Sequence, residues 1–206
     1  IGKLTPRDYQ IEGLKSVIYN TVGNVTVPIG TINAATNAGK TGFMAMIYLA
    51  YKRKIPALVL INDGTLFEQF KTEIPELVGD DFGYVRGKDK KWNKFTVCMV
   101  QTLSANLASY KHQLSKFGIV LVDEADLAGS KSYQKVLTHL YNTRVRIGLS
   151  GTIYMSKLAK DKLKNMELRS FFGDIIAQFK LKDSIKRGYS TNTIVKIVDP
   201  KPYYGN

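Results

Sequence analysis

Apolar residues in this chain fall into two kinds of run, short unbroken ones and longer ones with helical spacing, and the two kinds alternate. Residues 55–61 and 118–122 are continuous apolar stretches, the pattern of strands buried on both faces. Residues 29–33, 84–86, 96–101 and 144–149 read as further strands, and 191–198 as a last one. Between them, from Lys40 onward, Phe43, Met44, Met46, Ile47, Leu49 and Ala50 surround Tyr48 and Tyr51, which predicts a helix buried over most of its girth. Leu66, Phe67, Phe70 and Ile74 mark another helix, expected to stop near Pro75. Helices are also predicted from Thr102 toward Leu114, over 131–141, over 156–168 and, briefly, over 182–187.

The first helix has a start signal of its own. Thr5 reads as the N-cap, Pro6 suits the first turn, and Asp8 stands three residues after the cap. Leu14, Val17 and Ile18 give it one apolar face, Gly23 and Asn24 end it, and 25–29 lead into the next strand. Strands alternating with helices predict an α/β fold with a mostly parallel sheet flanked by helices.

Two segments carry candidate chemistry. Residues 34–41, Ala-Ala-Thr-Asn-Ala-Gly-Lys-Thr, lie between a strand and a helix N-terminus. There, backbone N–H groups of Thr36, Asn37, Ala38 and Gly39 and the positive end of the helix dipole can surround a phosphate. Lys40 would reach the β- and γ-phosphates of ATP, and the Thr41 hydroxyl would bind Mg²⁺. The second segment ends the 118–122 run in Asp123-Glu124-Ala125-Asp126. Carboxylates at the end of a parallel strand lie in the crevice where open α/β sheets bind ligands. Asp123 would hold the Mg²⁺, and Glu124 would orient or deprotonate the attacking water.

Charge widens the picture. Thirty Lys+Arg against 17 Asp+Glu give a formal charge of +13 in 206 residues, which argues for a polyanionic partner such as nucleic acid. Residues 87–94 form a basic turn around Trp92, the only tryptophan. It reads as a solvated hairpin with Trp92 packed inward; a grip on a nucleic-acid backbone with a base stacked on the ring is the alternative. Ser150-Gly151-Thr152, at a strand end, is either a plain turn or a sensor of the γ-phosphate. No apolar run approaches a membrane span of about 20 residues. The lone Cys98 fits a reducing, intracellular and cytoplasmic setting, and neither His112 nor His139 has a partner at zinc spacing.

The ordered set Pro-Arg-Asp-Tyr-Gln (6–10), Ala-x-Thr-x-x-Gly-Lys-Thr (34–41), Val-Gln-Thr-Leu (100–103), Asp-Glu-Ala-Asp (123–126) and Leu-Ser-Gly-Thr (149–152) resembles the first RecA-like domain of a superfamily 2 helicase. Within that superfamily it is most similar to phage helicases of the UvsW branch-migration type, which would act in the host cytoplasm. The resemblance implies that Gln10 reads adenine, with Arg7 nearby, and that Gln101 and Thr102 lie on the nucleic-acid track. It implies that Ser150 and Thr152 couple γ-phosphate state to domain movement. Asn62-Asp63-Gly64 and Ser150-Gly151-Thr152 depart from the DEAD-box RNA helicases, so DNA, branched or duplex, is the expected partner. Asp63 is an acidic residue at a customary nucleic-acid contact. The motor of a restriction or remodelling translocase, a DEAD-box-like RNA helicase, and a nucleotide-gated clamp without turnover are the alternatives. Residues 1–198 are expected to form one RecA-like domain and 199–206 a linker toward a second one in cis, whose arginine finger completes the site.

Overall fold

The structure, a computed structural model, describes residues 5–22, 25–35, 38–152, 159–179, 185–186 and 188. In chain order the elements are α1 (Asp8–Tyr19), a small hairpin of β1 (Thr21–Val22) and β2 (Val25–Thr26), β3 (Ile29–Ala34), α2 (Lys40–Ala50), β4 (Ala57–Ile61), α3 (Gly64–Val78), β5 (Phe82–Arg86), β6 (Asp89–Lys91), β7 (Phe95–Met99), α4 (Val100–Ala105), α5 (Leu107–Leu114), β8 (Ile119–Asp123), α6 (Lys131–Leu137), β9 (Val145–Ser150), α7 (Ala159–Phe172) and β10 (Ile175–Phe179). Among the described residues, eight strands make one sheet in the order β10-β3-β9-β8-β4-β7-β5-β6. Every neighbouring pair is parallel except β5–β6, so β6 closes one edge as an antiparallel strand.

Side-chain alternation explains the two apolar layers. Ala57, Val59 and Ile61 of β4 and Ile119 and Leu121 of β8 pack into a core with α1, α2 and α3. Leu58, Leu60, Val120 and Val122 point the other way, into a core with α4, α5, α6 and the end of α7. Both strands are buried along their whole length, which is why their sequences are unbroken apolar runs.

Several local expectations shift, each for an identifiable reason. Helix α1 starts at Asp8 rather than Pro6, because the Gln10 side chain reaches back to accept from the Arg7 N–H at 3.0 Å and makes Arg7 the cap. It ends at Tyr19, where Asn20 turns extended and donates to the carbonyls of Val27 (2.8 Å) and Ile29 (3.0 Å). Helix α3 runs through Pro75 to Val78. Burial of Val78 holds the last turn in place, and the Gly79 N–H closes on the Pro75 carbonyl. Asp63 caps that helix by accepting from the Leu66 N–H at 2.8 Å.

The helix expected from Thr102 to Leu114 begins at Val100 and is two helices. At the break, the Asn106 amide takes the Thr102 carbonyl at 3.0 Å, while the Asn106 N–H goes to Leu103 instead. Helix α6 stops at Leu137, short of the expected Tyr141. Helix α7 extends to Phe172, where Gly173 (φ 66°) returns its N–H to Arg169 at 2.7 Å. Strand β10 was not expected. It covers the edge of β3, and its Phe179 ring meets Phe43 at 5.1 Å and Tyr9 at 5.0 Å. The strand and linker expected over 191–206, and most of the short helix over 182–187, lie outside the described residues.

Phe179 joins α1, α2 and the edge strand, and it closes over Gly13, where an added Cβ would stand 2.5 Å from the ring. Phe179→Ala is expected to lower stability by about 3–5 kcal/mol, read from the urea unfolding midpoint. A midpoint indistinguishable from wild type would show that β10 is not part of the core.

Candidate nucleotide site

The sheet order sets the site. Strands β3, β9 and β8 are neighbours, with Asn33 in register with Ser150 and Leu149 with Asp123. Three sequence-distant segments therefore meet side by side: the loop that follows β3, Ser150 as the last residue of β9, and Asp123 as the last residue of β8. Two inter-strand steps separate β3 from β8, roughly 10 Å. The long side chain of Lys40 spans the gap. Its ammonium lies 3.1 Å from Asp123 Oδ1 and 2.6 Å from Glu124 Oε1.

Asp123 and Lys40 are largely out of water, with side chains 2 % and 16 % exposed, whereas Glu124 is 41 % exposed. Burial works against the Lys40 charge, but Asp123 and Glu124 together outweigh it and hold the ammonium above its ordinary pKa. Burial pushes the Asp123 carboxyl upward, and Lys40 opposes that push. Glu124 adopts a left-handed backbone (φ 50°, ψ 55°), a conformation that costs a non-glycine residue on the order of 1 kcal/mol. Strain of this kind is kept where a side chain must be aimed.

The loop is held from behind by α1. Gln10 Nε2 donates to the carbonyls of Ala38 (3.2 Å) and Gly39 (3.1 Å). Tyr9 Oη donates to Ala38 at 3.2 Å and accepts from Arg7 Nη1 at 2.6 Å. Gly39 is left-handed (φ 71°), and a Cβ there would meet Gln10 Nε2 at 2.7 Å. With these carbonyls turned toward α1, the first turn of α2 is left to offer its N–H groups, as anion binding at a helix start requires. Arg7, Gln10, Gly39 and Gly42 also line an open depression of about 410 Å³, completed by Thr72, Glu73 and Glu76 of α3. Thr36 and Asn37 lie outside the described residues.

On the other side of the crevice, Ser150 Oγ donates to Asp126 Oδ1 at 2.7 Å and accepts from the Thr152 N–H at 3.1 Å. Asn33 bridges from β3 by donating to the carbonyls of Ser150 and Gly151, 3.2 Å each, in the amide orientation that satisfies both its ends. Asn33, Asp126 and Tyr9 were not singled out as site residues. Only their position in the fold reveals what they touch.

Gln101 and Thr102 stand apart from this cluster, at the same end of the sheet but beyond β4. Gln101 Nε2 donates to the Asn62 carbonyl at 3.0 Å, and Thr102 Oγ1 accepts from the Gly87 N–H at 2.9 Å. Trp92 is half-buried, with its ring 5.4 Å from Tyr110 and 6.1 Å from Phe117.

The residues fit a divalent cation bound with a nucleotide. Asp123 and Thr41 are hard oxygen donors, both buried, and a cation, the Lys40 ammonium, already rests against Asp123. Among the described residues no group of three or more His, Cys, Asp or Glu is arranged to hold a metal, so such an ion would depend on the nucleotide's own oxygens.

A parallel sheet with a phosphate loop at one strand end and paired carboxylates two strands away defines a RecA-like nucleotide-binding domain. Comparison with known proteins agrees. Residues 3–155 match the family described as type III restriction enzyme, res subunit, and the chain belongs to that family. It is 27% identical over 158 residues to the ATP-dependent DNA helicase uvsW of Enterobacteria phage T4, covering 70% of this chain and 29% of that protein. It is 25% identical over 150 residues to the DNA 3'-5' translocase XPB2 of Sulfurisphaera tokodaii, covering 73% of this chain and 31% of that one. The chain therefore spans about a third of the length of these curated relatives. The crystal structure of the UvsW helicase from bacteriophage T4 superposes with a TM-score of 0.64 at 22% identity, over 85% of this chain and 61% of that one. That likeness establishes the fold.

Replacing Lys40 by Met strips buried Asp123 of its counter-charge, a loss on the order of 3 kcal/mol near pH 8. The deficit should shrink on acidification. Without Lys40, which opposes the effect of burial, the native Asp123 carboxyl is pushed further above its ordinary range than in wild type, so the variant takes up this proton at a higher pH and falling pH restores its stability relative to wild type. Urea unfolding at pH 8 and pH 5 tests this, and an equal deficit at both would contradict it.

Proposed function

We propose that this chain is the ATP-binding half of an ATP-dependent DNA helicase or translocase. The observation that carries the reading is the Lys40 ammonium held by Asp123 and Glu124, which joins the phosphate loop to the carboxylate strand in one crevice. A second RecA-like domain in cis would complete the site. Supporting this, the curated relatives are about three times as long as the part that the chain matches.

On nucleotide binding, Lys40 exchanges its two carboxylates for the β- and γ-phosphate oxygens. The N–H groups at the start of α2 take the remaining phosphate charge. Thr41 and Asp123 would hold Mg²⁺, which supplies charge neutralisation at the phosphates. Glu124, released from Lys40, is then free to accept a proton from the attacking water. The adenine lies in the depression beside Arg7 and Gln10. For Gln10 to pair with it, the amide must give up part of its hold on the Ala38 and Gly39 carbonyls, so base binding and loop geometry are linked.

Ser150 is the element best placed to report the γ-phosphate. It joins Asp126, Thr152 and, through Asn33, the strand that leads into the loop. Gln101 and Thr102 belong to a rim where the ends of β4, β5 and β7 are tied together, suited to contacts with DNA phosphates. The names of the relatives, a DNA helicase and a DNA translocase, support DNA over RNA. The family description favours one further reading, a translocase that serves a restriction complex through the same nucleotide site.

Lys40→Ala should abolish nucleotide binding, measured by calorimetry with ATP and Mg²⁺. Glu124→Gln, placed in a polypeptide that carries both RecA-like domains, should retain binding and lose DNA-stimulated turnover. ATPase that survives both substitutions would overturn the site assignment. The 206-residue chain by itself should turn over ATP very slowly, since a missing arginine finger removes roughly 10³–10⁵ in rate. Brisk DNA-stimulated turnover by this chain would refute the need for a second domain.

A further inference from the structure

At the opposite pole of the sheet, where the strands begin, two depressions of about 470 Å³ and about 240 Å³ adjoin and share Pro56, Lys116 and Phe117. The larger is walled by Lys54, Ser115, Asn142 and Arg144, the smaller by Trp92, Asn93, Lys94 and Gln113. Among the described residues, no carboxylate lines either one. Lys54, Lys116 and Arg144 are exposed and form no ion pair with any described carboxylate. Among the described carboxylates Lys94 has one long contact, 3.9 Å, to Asp81.

The frame that carries the groove is backbone. Ala57 N–H donates to the Lys94 carbonyl (2.7 Å), Gly118 and Ile119 to Pro56 (3.0 Å each), and Arg144 and Val145 to Gly118 (2.7 and 3.0 Å). Asn142 is tied across to the Ser115 carbonyl at 2.8 Å. The starts of β7, β4, β8 and β9 are thereby stitched in order, a span of three inter-strand steps or about 14 Å. The cations project from a fixed frame. Their concentration has a sequence counterpart: residues 87–117 hold six lysines and one carboxylate, Asp89.

We propose that this groove binds a single-stranded nucleic-acid segment, with phosphates along Lys54, Lys116 and Arg144 and one base against Trp92. The assignment is independent of the nucleotide crevice. Cations without acids select a polyanion, and the span suits a short run of phosphates. The apolar floor of Trp92, Phe117 and Pro56 beside those cations separates nucleic acid from an acidic polypeptide, because a base offers a flat face to stack and a carboxylate does not. It also separates single strands from duplex, whose bases are already stacked on one another.

Trp92 is the sole tryptophan, so its emission reports this groove directly. Titration of the chain with a 12-nucleotide oligothymidylate should give a saturable change in emission, with log K falling against log salt at a slope of about −2, from about 0.7 for each of three phosphates. The double variant Lys116→Gln, Arg144→Gln should weaken binding at least 10-fold and lower the slope to about −0.7, with circular dichroism and ATP binding unchanged. Lys40→Ala should leave the emission change intact, so that failure at one pole is distinguishable from failure at the other. The proposal is overturned by unchanged emission at saturating oligonucleotide, by an equal response to a 12-base-pair duplex or to polyglutamate, or by affinity of the double variant within twofold of wild type.

Discussion

One ammonium group between two carboxylates is the contact on which the arrangement of this molecule turns. Lys40 and Asp123 are 83 positions apart in the chain, and only the insertion of β9 between β3 and β8 brings their strand ends to the right separation. A wider gap would leave Asp123 buried without compensation. A narrower one would close the space that the proposed function gives to phosphate. The apolar alternation of β4 and β8, which looks like plain core packing, fixes that spacing by burying the sheet on both faces.

The helices divide their labour accordingly. Helix α2 presents its start to the crevice and buries almost everything else, including Phe43, Met44, Ile47 and Tyr48. Helix α1 grips the loop through its first turn and packs its body on the edge strand through Gly13 and Phe179. Neither role is available to an isolated amphipathic helix, because each depends on a partner from a distant part of the chain.

Much of this was legible in the residues. Unbroken apolar runs located β4 and β8, the Gly-Lys-Thr triplet located the loop, and acidic residues at a strand end located its partner. The errors cluster where side chains compete with the backbone. Asn106 breaks a helix by taking a carbonyl, Gln10 moves a helix start, and a buried Val78 carries a helix past a proline. These are tertiary or short-range polar choices that periodicity does not register. Strand β10 escaped because an edge strand covered on one side shows neither a continuous apolar run nor clean alternation. Asp126 and Asn33 escaped because their partners, Ser150 and the Gly151 carbonyl, are remote in sequence.

The Lys40 cluster contains one positive and two negative groups, so it carries one negative charge in excess. Under the proposed function, a triphosphate arriving bare would meet repulsion from the carboxylates of β8. One accompanied by its own cation brings the missing charge and releases the lysine in the same event. On that reading the pocket would discriminate on electroneutrality before it discriminates on shape, favouring a salt over a naked anion.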